Sequence, residues 1–266
     1  MSEIIELSKE IFSRFGTVKR ARNCFLYTAK SVRLTDLYQQ GGRAILGWGG
    51  SVFTVFKNVL ERGITGTYFT DFSSPNGKEK SQLSRAVSDL FGDSRTDFTF
   101  SSKQAALEAA ISVSAQSTSV YRPWNPQSVD WRSVDCIVFE PTLPWTNDIF
   151  VLAVKESLSE NLSFKNESFL SSPLCAAVTR SVYDLIKALQ EREEKHWFIY
   201  DQIITKYWER KGPYLFPKVP ESKYADFVLH CLECNLVISP DYNQPSIVPF
   251  GADKGNFSKL KNNPFD

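Results

Sequence analysis

Histidine and methionine are almost missing from this chain, with two and one copies among 266 residues. Two histidines, His196 and His230, leave little room for imidazole-based acid–base chemistry or for a multi-histidine metal centre. No Gly-x-Ser-x-Gly elbow and no metal-ligand spacing occurs, so neither a hydrolase nor a metalloenzyme is supported. No apolar run approaches the roughly 20 residues of a membrane span. Residues 1–20 lack the apolar core of a secretory signal, which makes a cytoplasmic protein the expectation. An excess of charge is absent too: the formal net charge is +1, and the bulk composition offers no argument for nucleic acid or an anionic membrane as a partner.

Paired cysteines are also scarce. The five cysteines (Cys24, Cys136, Cys175, Cys231, Cys234) are odd in number and scattered, which reads as free thiols. Cys231-Leu232-Glu233-Cys234 is a CxxC with no second CxxC or histidine pair to complete a zinc site. The same stretch places Tyr224, Phe227, Val228, Cys231 and Leu232 on one face of a helix, so core packing is the first reading and metal or redox chemistry the second.

What is present is an alternation of helical and strand-like segments. Helices are expected over residues 3–16, Val52–Arg62, Ser81–Phe91, the stretch after Phe169, Phe198–Trp208 and 221–234. Strands are expected at Cys24–Tyr27, Val32–Leu37, Phe98–Phe100, Val134–Phe139, Tyr214–Phe216, Leu236–Ser239 and Ser246–Pro249. Asp71–Lys80 reads as a polar, turn-rich loop. The stretch Phe98 to Ala115 organises the rest. A strand-like entry passes through Ser101 and Ser102 into Ala105-Ala106-Leu107-Glu108-Ala109-Ala110, strong helix formers behind a strong N-cap. A helix start after a strand is an intrinsic anion site, because free N–H groups and the helix dipole favour negative charge. Lys103 is either a solvated first-turn residue or a cation that helps to hold such an anion. Tyr121, Trp124 and Trp131 either stack on a planar ligand or pack in a core.

Several segments together resemble the class III aminotransferases, fold-type-I pyridoxal-phosphate enzymes. Arg20-Ala21-Arg22, Phe25-Leu26-Tyr27, Leu34-Thr35-Asp36-Leu37, Gly41-Gly42 and Leu46-Gly47-Trp48 follow the order of that family's N-terminal pattern, with Trp48 where a histidine is usual. Glu108-Ala109-Ala110 matches the helix that holds the cofactor phosphate. Val134 to Pro141 resembles its Glu-Pro strand, and Phe169 to Leu189 its Pro-Leu helix.

The resemblance implies an α/β fold, a reduced fold-type-I sheet flanked by helices with a small α+β C-terminal domain. It divides the chain into an N-terminal segment (residues 1–52) packing on the small domain, a reduced large domain (53–189) and the small domain (190–266). It also implies that cofactor-binding residues fall at Ser101, Ser102, Lys103, Gln104 and Tyr121, and that Lys155 stands as the aldimine lysine.

Against this the family's phosphate helix begins Ser-Gly-Ser/Thr-Glu, where this chain has Ser102-Lys103-Gln104-Ala105. The Asp-Glu strand that pairs with the pyridinium nitrogen is missing after Glu140-Pro141, and the Pro-Asp-x-x-x-x-x-Lys pattern has no plain counterpart. The reading is therefore a degenerate, non-catalytic relative with a binding or scaffolding role, no cofactor, no metal and a small anionic ligand at most. The alternative is a pyridoxal-phosphate aminotransferase or aminomutase using Lys155. A homodimer is expected, since a reduced large domain exposes apolar sheet surface and dimers are the resembled family's usual state.

Overall fold

The computed structural model describes residues 6–66, 81–125 and 129–265; the loop expected at Asp71–Lys80 lies outside them. The chain divides into two compact units, one of Met1–Gly49, Trp124–Pro126 and Arg192–Asp266, the other of Gly50–Pro123 and Gln127–Glu191.

The first unit opens with helix α1 (Leu7–Phe15), followed by strands β1 (Val18–Arg22), β2 (Phe25–Thr28) and β3 (Arg33–Asp36). In the second unit come α2 (Ser51–Glu61), α3 (Gln82–Phe91), β4 (Arg95–Phe100), α4 (Lys103–Ser114), β5 (Thr118–Tyr121), β6 (Cys136–Phe139), β7 (Phe150–Lys155) and α5 (Ser172–Glu191). The chain then returns to the first unit through α6 (Lys195–Phe198), α7 (Asp201–Ile204), β8 (Trp208–Lys211), β9 (Tyr214–Pro217), α8 (Tyr224–Glu233), β10 (Leu236–Val237), β11 (Ser246–Ile247) and α9 (Ser258–Asn262).

The second unit is a three-layer sandwich. Its sheet runs β4-β7-β6-β5, with β5 and β6 parallel and β7 antiparallel to both of its neighbours. Side chains alternate across it. Phe98, Phe100, Cys136, Val138, Leu152 and Val154 face α4, whose Ala106, Ala109 and Ala110 let the helix approach closely. Ile137, Phe139, Val151 and Ala153 face the other way, onto α2, α3 and α5.

Local signals explain the helix bounds. The Ser81 hydroxyl accepts the Ser84 N–H (2.9 Å) at the start of α3, and Gly92 closes that helix at φ 73°, its N–H donating to the Ser88 carbonyl. A side chain at Gly92 would also meet the Arg132 guanidinium at 2.9 Å. Asp97 then ties α3 to β4, accepting from the hydroxyls of Ser81 (2.8 Å) and Ser84 (2.5 Å).

In the first unit the order is β1-β2-β3-β10, and β10 joins parallel to β3 although some two hundred residues separate them in sequence. Leu37 N–H donates to the Val237 carbonyl (2.7 Å), and Ile247 N–H to the Leu37 carbonyl (2.6 Å). A second sheet, β11-β9-β8, is antiparallel. Its core is aromatic, with Phe227 fully buried among Tyr207, Trp208, Tyr224 and Phe265.

Some expectations need correcting. The segment expected as one helix over Phe198–Trp208 is instead two short helices, α6 and α7, and Trp208 already pairs with Pro217 in β8. Apolar residues at Trp197, Tyr200, Ile204 and Tyr207 have helical spacing, yet separate turns bury them equally well. The five cysteines are free and buried; burial pushes the Cys24 and Cys136 thiols up to about 11 and Cys175 to about 12. Cys231 on α8 and Cys234 directly after it are buried within the aromatic core.

One carboxyl, that of Asp36, is buried at a structural position. Asp36 accepts the Gln39 N–H (2.8 Å) and the Trp48 indole N–H (2.7 Å), which joins the middle of the N-terminal sequence pattern to its last residue. Loss of solvation raises its carboxyl to about 6 from an ordinary value of 3.8. Between those two values the folded chain holds a proton that the unfolded chain has released. Stability from Asp36 is thus full below about pH 4 and is lost as pH rises through 6, by about 3 kcal/mol in total. The stability advantage of the parent over Asp36→Asn is expected to shrink by about 2–3 kcal/mol from pH 4 to pH 8 in urea unfolding. Parallel pH profiles for the two proteins would refute it.

Candidate functional site

β4 ends at Phe100 and the chain turns through Ser101 and Ser102 into α4, as the sequence predicts. Ser102 is the N-cap in extended geometry, its hydroxyl accepting the Ala105 N–H at 3.1 Å. The Gln104 amide donates to Glu108 at 2.8 Å, one turn along the helix. Ser101, Ser102, Lys103 and Gln104 are all exposed. The capping hydroxyl and the amide are thus used within the helix itself.

Lys155 lies elsewhere. In the antiparallel register, Phe100 pairs with Phe150 and Arg95 with Lys155. Lys155 therefore stands at the end of β4 opposite the one that leads into Ser101, and β4 itself is five residue steps or roughly 17 Å long. Its ammonium donates to Asp135 Oδ1 (2.9 Å) and to the Ser133 carbonyl (3.1 Å). That ion pair holds the Asp135 carboxyl below its ordinary value. Lys155 also borders an open depression of about 350 Å³ lined by Asp93, Ser94, Glu156 and Ser157. The strand register sets Lys155 and Ser102 at opposite ends of β4.

Tyr121 is at the same sheet end as Ser101, but three strands across, roughly 14 Å away. Its ring faces the α3 layer, edge-on to Phe91 (5.2 Å) and Trp131 (5.1 Å), and burial pushes its phenol up. Packing, not ligand stacking, occupies Tyr121 and Trp131. Trp124 belongs to the first unit, against Trp197 at 5.6 Å.

Arg95 escaped sequence reading. It is fully buried, and its guanidinium donates to both oxygens of Asp93 (2.6 and 2.9 Å) and to the carbonyls of Trp131 (2.8 Å) and Val134 (2.7 Å). The only signal was an arginine opening a strand with an aspartate two residues before it. Among the described residues no group of three or more His, Cys, Asp or Glu is placed to hold a metal ion, and no helix is long and apolar enough to cross a membrane.

With this geometry in view, solved structures with a similar fold are informative. An ornithine aminotransferase from Plasmodium yoelii superposes with a TM-score of 0.64 over 92% of this chain and 91% of that one, at 13% identity. An acetylornithine aminotransferase from Elizabethkingia anophelis gives 0.63 over 95% and 96%, at 12% identity. The fold is that of these aminotransferases. No protein-family model matches the chain. Among sequence relatives, an uncharacterized protein of Treponema pallidum (strain Nichols) is 25% identical over 300 residues, covering 90% of this chain and 91% of its own. One of Borreliella burgdorferi is 26% identical over 263 residues, covering 94% and 91%. Identities this low to the solved enzymes establish architecture, not activity.

The residues present do not fit pyridoxal phosphate at the place the resemblance implies. The helix start carries Lys103 where close backbone approach calls for glycine, its capping serine is engaged, Tyr121 is turned into the core, and Lys155 is ion-paired at the far end of the sheet.

Proposed function

We propose that this chain is a non-catalytic protein built on an aminotransferase fold, with a binding or scaffolding role. The observation that carries this reading is the separation of Lys155 from the α4 N-terminus by the length of β4. A covalent tether and a phosphate anchor for one small cofactor have to lie within its reach, and roughly 17 Å exceeds it. A second observation points the same way. Counted from Asp148, the Pro-Asp-x-x-x-x-x-Lys pattern of the resembled family ends on Val154, one residue before Lys155, and Val154 has no side-chain amine.

Titration of the purified chain with pyridoxal phosphate, followed by absorbance, is expected to give the sum of the two separate spectra, and the same for Lys155→Ala. A new aldimine band that Lys155→Ala abolishes would establish the rival reading, an active aminotransferase or aminomutase. Lys155→Ala itself is expected to cost about 1 kcal/mol, since the ion pair with Asp135 is only partly shielded from solvent. The proposed assembly is a homodimer, the usual state of the resembled family, although helices cover both faces of the second unit's sheet; light scattering that returns the mass of a single chain would remove it.

A further inference from the structure

The near-neutral chain hides a strong local imbalance. Residues 11–35 contain no aspartate or glutamate, but six basic residues: Arg14, Lys19, Arg20, Arg22, Lys30 and Arg33. Because the chain totals only +1, the remainder is net acidic. The fold concentrates part of that charge on one sheet surface. Arg20 pairs across the sheet with Tyr27, which pairs with Arg33, while Arg22 pairs with Phe25; these residues share the face opposite Leu26 and Leu34, and it is open at Arg20, Arg22, Tyr27 and Arg33 but covered at Phe25, which packs against the aromatic core. The Arg20 guanidinium lies 5.7 Å from the Tyr27 ring centre and that of Arg33 4.6 Å from Phe25. Lys19, Arg20, Arg22 and Arg33 are exposed, and among the described residues none forms an ion pair; Arg33 donates only to the Asn256 side-chain oxygen (2.9 Å).

The same strand is an edge. Among the described residues β1 pairs with β2 on one side and with no strand on the other, so its outward backbone N–H and C=O groups stand open to pairing. Charged side chains on an edge commonly serve only to deter such pairing, yet here the deterrent is of one sign and continues onto the sheet face. Like charges so close repel one another, a cost that an acidic ligand relieves. An acidic polypeptide can use both features at once, its backbone along the edge and its carboxylates on the guanidiniums. A single-stranded nucleic acid fits less well, because the ring faces that bases would stack upon are covered by Arg20 and Arg33.

We propose that the free edge and outer face of β1–β3 form a docking surface for an extended, acidic polypeptide segment of a partner protein. The surface lies wholly within the first unit and is independent of whether the α/β unit binds a cofactor. The test is fluorescence anisotropy on the full chain with a labelled twelve-residue peptide of alternating Glu and Ser, at low and moderate salt. Binding is expected, weakening as salt rises. Arg20→Glu/Arg22→Glu is expected to weaken it about tenfold or more, whereas Lys165→Glu/Lys187→Glu, an equal charge change on the other unit, leaves it intact; both variants should unfold as the parent does, since all four side chains are exposed. N-methylation of alternate peptide amides is expected to weaken binding as well. Absence of binding by the parent, equal loss in both double variants, indifference to N-methylation, or tighter binding of an oligothymidylate or a phosphatidylserine vesicle would each overturn the proposal.

Discussion

Arg95→Ala is expected to destabilise the α/β unit by about 3–5 kcal/mol, the cost of breaking a buried charged network by removing one partner. The guanidinium is wholly enclosed at the junction of β4, β6 and β7, and it satisfies Asp93 together with the carbonyls of Trp131 and Val134. Its removal takes the arginine donor from the buried Val134 carbonyl, leaves the Trp131 carbonyl only the Val134 N–H (3.3 Å), and strips a partly buried carboxylate of its counter-charge. Lysine is no substitute, because one ammonium cannot fork toward a carboxylate and reach two carbonyls. Asp93→Ala should cost less than Arg95→Ala, and a double-mutant cycle should give a coupling above about 1 kcal/mol. Urea unfolding followed by circular dichroism provides the measurement; a loss below 1 kcal/mol for Arg95→Ala would show that the network does not hold this corner.

Phe227→Ala should cost the first unit a similar amount, about 3–5 kcal/mol, by the transfer and cavity terms that apply to a large core aromatic. Phe227 sits on α8 with no exposed surface, its ring 5.2 Å from Tyr207, 5.1 Å from Trp208 and 5.2 Å from Phe265. These neighbours come from the turn before β8, from β8 itself and from the end of the chain, so a cavity here loosens three segments at once. Phe227→Leu should recover more than half of the loss, since it keeps most of the apolar volume. If alanine and leucine cost the same, the ring is not the centre of this core.

How much of this was legible in the sequence differs by element. Ser102 before an alanine-rich run, and Ser81 with Gly92 around α3, declare their helices because the capping chemistry is local. α5, expected in the stretch after Phe169, was legible as well and begins at Ser172. β7 was not. Phe150–Lys155 was weighed as a cofactor motif, while its apolar run is that of a strand buried on both faces between β4 and β6. β1 was missed for the opposite reason: four of its five residues are exposed, so no buried face marks it.

The site followed the same rule. Sequence placed the anion-favouring helix start correctly, because a cap depends on near neighbours. It also set Lys155 beside that start, which depends on strand register. Whether β4 and β7 run parallel or antiparallel decides if Lys155 lies near Ser101 or a strand's length away, and nothing in the separate segments encodes that direction. The buried Asp36–Trp48 bond shows the converse: two parts of the N-terminal pattern that looked like separate landmarks form one contact.

The central claim is that this fold no longer supports a covalent cofactor. Borohydride reduction of the full chain after incubation with excess pyridoxal phosphate, read by intact mass and peptide mapping, tests it most directly. The account predicts no adduct specific to one position, only the slight, scattered labelling of exposed lysines. Stoichiometric labelling confined to the peptide that contains Lys155, protected from competition by other amines, would contradict it.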